Sequence, residues 1–252
     1  MIYSTGDDFL SIINSRGIVL NSFDIKENDK IVWMYTEKLG KISVIARGAR
    51  KKNSKITSLI QGLCFANYSI YKGKSAYFLN EGIIIDSFQD LLRDFETIAY
   101  SSYICELINL SIPENEKNFK VFENAIKALY LIKNSVGDIE LLIRSFEVKL
   151  ISSMGYHVNI EKCSECGSSF NNKIYFNNRN FSFVCKECNN SFKEVSLICY
   201  TTLRALVNFP IEKIYRINAL PEAKKEIGFI TNVYLNEICC RRPKSLDMLN
   251  FL

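Results

Sequence analysis

A chain of 252 residues, 48% hydrophobic and 23% charged, has the make-up of globular material and is long enough for one large domain or two to three small ones. No stretch approaches the roughly eighteen uninterrupted apolar residues of a membrane span, and Asp7 and Asp8 stand where a secretory signal would carry positive charge, so the expectation is a soluble cytoplasmic protein. The formal net charge is only +5, yet residues 1–85 hold twelve Lys plus Arg against seven Asp plus Glu while residues 86–252 hold twenty of each, which points a polyanionic partner at the N-terminal part.

From about residue 16 to residue 88 the chain has strand character. The segments "RGIVLNSF", "KIVWMYT", "KISVIAR", "GLCFANYSIYK", "SAYFLN" and "GIIIDSF" are short, rich in β-branched and aromatic residues, and parted by Gly, Asn, Asp and Lys clusters. Six such strands predict a small barrel. After Asp86 apolar residues recur at helical spacing in "LLRDFETIAYSSYICELINL", "FKVFENAIKALYLI" and "DIELLIRSFEVKLISSMG". Asp138 suits the N-cap of the third helix and Gly155 a left-handed C-cap. Two further helices are predicted over about 197–208 and 222–240, the second with Pro221 in its first turn. The organisation expected is residues 1–85 as a nucleic-acid-binding barrel, 86–160 as the first part of a helical domain, 161–194 as a cysteine-bearing insertion, and 195–252 as the second helical part.

The strongest local signal is "CSECGSSFNNKIYFNNRNFSFVCKEC". Cys163 with Cys166 and Cys185 with Cys188 form two Cys-x-x-Cys pairs at a separation suited to a four-cysteine zinc site. Two residues between thiolates let the backbone curl so that both sulfurs reach one ion, and two such knuckles complete a tetrahedron. Gly167 and Asn189, each just after a pair, tolerate the positive φ that a tight knuckle needs. "KIYF" and "FSFV" flanking "NNRN" read as a β-hairpin, and the whole as a zinc ribbon. Lys162 and Lys186 sit beside the ligands, where a four-thiolate centre is negative. Disulfides are the plain alternative, but the total of nine cysteines is odd, and Cys64, Cys105, Cys199, Cys239 and Cys240 lie in apolar or helical contexts of reduced core thiols. A closed four-thiolate shell leaves no position for water, so a structural Zn2+ is expected and no catalytic residue is assigned.

Other signatures fall away. "KGKS" at 72–75 has the ending of a phosphate-binding loop, but Tyr68 replaces its first glycine and no helix is expected to follow. The single histidine, His157, has no nucleophile to activate. The stretch "ISVIARGARKKNSKI", residues 42–56, is different. Together with Lys41 it gathers Arg47, Arg50, Lys51, Lys52 and Lys55 without one acid, and Gly48 lets the backbone turn. A solvated loop is the plain reading of such a run. Trp33, Tyr35, Tyr68, Tyr71, Tyr77 and Phe78 on the same barrel argue for more, since some could stack on bases while cations hold phosphates.

The order "GIVLNSFDIKENDKIVWMYTEKLGKISVIARGARKKNSK", "LIRSFEVKLISSMGYHVNIEKCSECGS" and "CCRRPKSLDMLNFL" resembles the RecO family of bacterial recombination mediators over Gly17 to Leu252. The resemblance implies an α+β multidomain fold with an N-terminal OB barrel and an α-helical C-terminal domain bearing the four-cysteine zinc ribbon. It implies binding of single- and double-stranded DNA, annealing of complementary strands coated with single-strand-binding protein, and joining RecR to load RecA, without covalent chemistry and in the bacterial nucleoid. By position, DNA contact falls to Arg47, Arg50, Lys51 and Lys52, with Lys41 and Lys55 as neighbours, and metal binding to the four paired cysteines. The helical domain would also take the acidic tail of the single-strand-binding protein. Phe23, where many relatives carry a cation, and Lys26-Glu27-Asn28 before Asp29 depart from the family pattern. Two rival classes are an adaptor whose basic loop binds acidic protein tails and a zinc-dependent enzyme acting on nucleic acid; the latter needs a three-ligand metal and a His-x-Glu-like partner, which the sequence before the cysteines lacks.

Overall fold

The computed structural model describes residues 12–156, 158, 160–170 and 173–249. The chain divides into two compact units. The first comprises the described residues up to Gln89 together with Ile112–Lys117, and the second comprises Asp90–Ser111 and the described residues from Asn118 onward.

The first unit is a closed barrel of five strands: β1 (Ile12–Asp24), β2 (Lys30–Thr36), β3 (Gly40–Ala46), β4 (Phe65–Lys72) and β5 (Tyr77–Asp86), in the order β1-β2-β3-β5-β4. The thirteen residues of β1 serve two neighbours, pairing β4 through Ile12–Ile18 and β2 through Gly17–Asp24, with a register shift between Val19 and Asn21 that bends the strand. A short parallel pairing of β3 with β5, Val44 opposite Tyr77 and Ile45 opposite Phe78, closes the barrel. This is the order of an OB barrel. Alternation puts Val19, Val32, Met34, Ile42, Val44, Tyr68 and Ile70 in a shared core with Cys64 and Ala66. The sequence predicted six strands, but "SAYFLN" and "GIIIDSF" are one continuous strand: Gly82, read as a turn residue, pairs with Tyr68 in mid-ladder.

The segment Ile112–Lys117 belongs to this unit because it docks on the start of β3. The Lys41 N–H donates to Glu116 O at 3.3 Å, the Asn115 N–H donates to Lys41 O at 2.7 Å, and Ser43 Oγ meets Glu114 Oε1 at 3.1 Å. Gly40 makes room for it. Its φ is +72°, and a Cβ there would stand 2.0 Å from Glu116 O.

The second unit holds α1 (Phe95–Ser111), α2 (Phe119–Lys133), α3 (Ile139–Ser153), α4 (Leu197–Asn208), α5 (Pro221–Ile238) and α6 (Ser245–Leu249), with the small sheet β7-β6-β8 formed by β6 (Ile174–Asn177), β7 (Ser182–Cys185) and β8 (Lys193–Val195). Asp138 caps α3 by accepting from the Leu141 N–H at 2.9 Å, and Gly155 takes φ +89° after its end, as the sequence predicts. Pro221 opens α5. Cys64, Cys105, Cys199 and Cys239 are buried thiols as expected, but Cys240 is exposed. A buried polar knot ties three helices: Glu147 of α3, fully inaccessible, accepts from Arg144 Nη1 at 2.7 and 2.8 Å, from Tyr103 Oη at 2.8 Å and from Thr231 Oγ1 at 2.6 Å. Among the described residues no helix is long and apolar enough to cross a membrane.

Candidate nucleic-acid interface and metal centre

The cationic segment leaves β3 at Ala46 and is held in shape by its own turns. Gly48 adopts φ +65°, and its N–H donates to the Asp29 carboxylate at 2.8 Å. Successive turns follow, the Lys51 N–H donating to Gly48 O at 3.1 Å and the Ser54 N–H to Lys51 O at 3.0 Å. Ala49, 2% exposed, anchors the loop in the barrel core, and Thr57 Oγ1 donates to Ala49 O at 2.8 Å. The β1–β2 turn supports it from the side, because the Arg50 N–H donates to Asn28 O at 3.1 Å. Asp29, met in the sequence only as a family landmark, is therefore a positioning residue for the loop. With its backbone fixed, the loop sends Arg47, Arg50, Lys51, Lys52 and Lys55 to the surface, all exposed.

Two expectations change. The absence of acids from residues 42–56 does not leave Arg50 unpaired, because Asp24 comes within 3.5 Å of its Nε and 3.1 Å of Lys30 Nζ; the Asp24–Arg50 pair is exposed on both sides and weak for that reason. Among the described residues Arg47, Lys51, Lys52 and Lys55 have no acidic partner. Lys41 is set apart: it is the second residue of β3, about 20 Å of chain from Arg47, is 9% exposed, and lies with its Nζ 5.7 Å from the Trp33 ring centre. Of the six aromatics, Tyr35 and Tyr68 are fully buried core, whereas Trp33, Tyr71, Tyr77 and Phe78 are half-buried. Arg47 lies over Phe78, its guanidinium carbon 4.4 Å from the ring centre.

In the second unit Cys163, Cys166, Cys185 and Cys188 converge, their four Sγ atoms all within 4.8 Å of one another. Cys166 Sγ and Cys185 Sγ are 3.8 Å apart. That is far from a disulfide bond and equal to the sulfur–sulfur separation of about 3.8 Å that a tetrahedron with 2.3 Å metal–sulfur bonds requires. The first knuckle closes through the Gly167 N–H donating to Cys163 O at 3.0 Å, with Gly167 at φ +72°. In the second the positive φ falls on Ser191 (+70°) and not on Asn189, whose side chain instead accepts from the Phe192 N–H at 2.8 Å. An amide side chain closes the turn there. The predicted hairpin is present as β6 and β7, and Lys162 and Lys186 are exposed beside the ligands. The Ser168 hydroxyl and N–H pull the Cys166 thiol down to about 6, while hydrogen bonding to Cys166 and Cys185 pushes Cys188 up to about 12. Four neighbouring thiols cannot all ionise alone; a divalent cation lets them. The donor set and spacing fit a metal ion. His157 lies outside the described residues.

A closed OB barrel with an exposed cationic loop, in one chain with a helical unit that bears a four-cysteine cluster able to hold a metal ion, defines a two-unit class of protein. The pattern described as "Recombination protein O N terminal" matches residues 10–88, and "Recombination protein O C terminal" matches residues 92–247. The chain is 45% identical over 244 residues to a protein of Clostridium acetobutylicum named DNA repair protein RecO, covering 96% of this chain and 99% of that one. A Clostridium novyi protein of the same name is 40% identical over 98% of this chain and 97% of its own. The chain belongs to the RecO family of DNA repair proteins.

Proposed function

We propose that this protein is a DNA-binding recombination mediator that brings complementary strands together without covalent chemistry. One observation carries the reading: four cations without acidic partners among the described residues, Arg47, Lys51, Lys52 and Lys55, are held outward by one backbone-braced loop of a closed OB barrel in a RecO family chain. Two DNA strands approach as two lines of phosphate, and a cationic platform that releases their counterions lowers the repulsion while leaving base edges free to pair. Arg47, Arg50, Lys51, Lys52 and Lys55 are the proposed contacts for both single- and double-stranded DNA, and Lys41 is left out because it is buried. The family resemblance supports annealing of strands coated with single-strand-binding protein, recognition of that protein's acidic tail by the helical unit, and action with RecR in loading RecA in the bacterial cytoplasm. The four thiolates are proposed to hold Zn2+, whose coordination they would fill, so the ion would supply folding energy and no open site for hydrolysis.

The test is the variant R50A/K51A/K52A. Single-strand affinity should fall for every sequence alike, and the log–log salt slope should flatten by about 0.7 for each phosphate no longer neutralised. An unchanged slope would remove the assignment. Tighter binding to a polyglutamate of matched charge than to DNA would make the loop an adaptor for acidic protein tails.

A further inference from the structure

Beside the cationic loop the barrel carries a row of flat groups contributed by two neighbouring strands, β4 and β5, and by the turn that follows β3. Tyr71 of β4 lies opposite Phe78 of β5 in the ladder, and Phe78 lies opposite Ile45 of β3. The Tyr71 and Phe78 rings are stacked with centres 5.0 Å apart and planes 11° from parallel. Arg47, in the turn just past the end of β3, lies over Phe78 with its guanidinium carbon 4.4 Å from the ring centre. The row is packed into place: a Cβ on Gly73 would stand 2.8 Å from Phe78 Cε2, so the β4–β5 turn, closed by the Gly73 N–H donating to Ala76 O at 2.8 Å, leaves only the space that this ring fills. That turn is the "KGKS" stretch, and it brings Lys72, whose Nζ lies 5.8 Å from the Tyr77 ring centre, to the edge of the row.

An isolated arginine seeking phosphate has no need of a ring beneath it. Arg47 is exposed, has no acidic partner among the described residues, and nonetheless lies over Phe78, the ring that stacks on Tyr71. A guanidinium held this way offers its outer face as a stacking surface for an unpaired base, and aromatic or guanidinium faces accept any base because every base has a π face. A paired base inside a duplex is already stacked and cannot reach it. We infer that the Arg47–Phe78–Tyr71 row is a base-stacking platform that adds affinity for unpaired strands, while the lysines of the adjoining loop supply the charge that both forms share. The inference rests on the DNA reading above and adds to it the group that distinguishes the two substrates.

The test measures the ratio of single-strand to duplex affinity for the wild-type protein, R47K and F78L, using an oligonucleotide with one 2-aminopurine and its matched duplex. R47K keeps the charge and loses the flat face; F78L keeps every cation and removes the ring beneath Arg47. Both should lower the single-strand to duplex ratio roughly tenfold, the order of one base stack. Both should retain the wild-type salt slope and abolish the 2-aminopurine quench that stacking produces. R47K guards against misfolding as the source of the F78L effect. Equal losses for both DNA forms in R47K, or an unchanged quench, would overturn the platform and leave the phosphate contacts standing. A wild-type protein that binds neither form would overturn the DNA reading and the platform with it.

Discussion

Single residues decide two properties of the helical unit. Glu147 is a carboxylate with no access to water, satisfied by Arg144, Tyr103 and Thr231. Its charge is tolerable only while those donors stay in place. Thr231→Val removes the 2.6 Å hydroxyl donor and should cost about 1–3 kcal/mol, whereas Glu147→Ala strands Arg144 in the interior and should cost more, about 3–5 kcal/mol. Urea denaturation of the two variants checks the order; equal losses would mean that Arg144 finds another partner. Glu106 works at longer range. Its carboxylate accepts from the Lys244 N–H at 3.0 Å, the Ser245 N–H at 2.8 Å and Ser245 Oγ at 2.6 Å, capping α6 from α1. Partial burial disfavours its charge, but the Ser245 and Lys244 hydrogen bonds outweigh burial and lower its pKa below 4.5. A depressed carboxylate stabilises fully above the unfolded value and loses its contribution as pH falls through the folded one. Hydrogen exchange over residues 244–249 should therefore accelerate as pH drops below about 4.5, after correction for the intrinsic rate, and Glu106→Gln should show that loosening already at neutral pH.

Elements that carry their own signal were readable from sequence, and those defined by distant partners were not. The helix pattern over 197–208 coincides with α4, and Asp138 marks the start of α3, because an amphipathic repeat and a cap are local properties. The two Cys-x-x-Cys pairs also announce their cluster, since each knuckle is a local loop and only their meeting is long-range. By contrast α6 has five residues and is held by Glu106, 139 positions earlier than Ser245, and β8 has three residues and exists because β6 offers an edge. The cationic run was legible as charge, but neither the Asp24 partner of Arg50 nor the Asp29 brace under Gly48 lies within it. The segment Ile112–Lys117 is the clearest case. Its sequence has no strand pattern, yet it docks on the barrel at Gly40, where only a residue without a side chain fits. Gly40→Ala meets both a left-handed φ and the Glu116 backbone, so a loss of about 1–3 kcal/mol is expected. It should appear as a lower urea midpoint together with faster hydrogen exchange at Lys41 and Asn115, the two amides that join the segment to β3. A variant as stable as the wild type would mean that 112–117 adds nothing to the barrel.

At the scale of the molecule the excess charge and the four-cysteine cluster are assigned to different parts of the chain. Residues 1–85 carry the whole excess of cations, and residues 86–252 are balanced and carry the cysteine cluster. The cluster is packed with Tyr175, Val184, Phe170 and Phe192, a small core to which a metal held by the four thiolates would add folding energy. Losing the metal should therefore unsettle the ribbon and its neighbours while the barrel keeps its loop. Titrating the four thiolates with an organomercurial should release one equivalent of metal per chain. The Cys163→Ser/Cys185→Ser variant should bind none and unfold at a lower temperature, with hydrogen exchange rising first around residues 163–188. Its single-strand salt slope should match that of the wild type, because the slope counts neutralised phosphates, the contacts proposed for them are Arg47, Arg50, Lys51, Lys52 and Lys55, and none of these belongs to the unit that holds the four-cysteine cluster. A flattened slope in the metal-free variant would show that the ribbon itself contacts DNA, and the division of labour between the two parts would have to be abandoned.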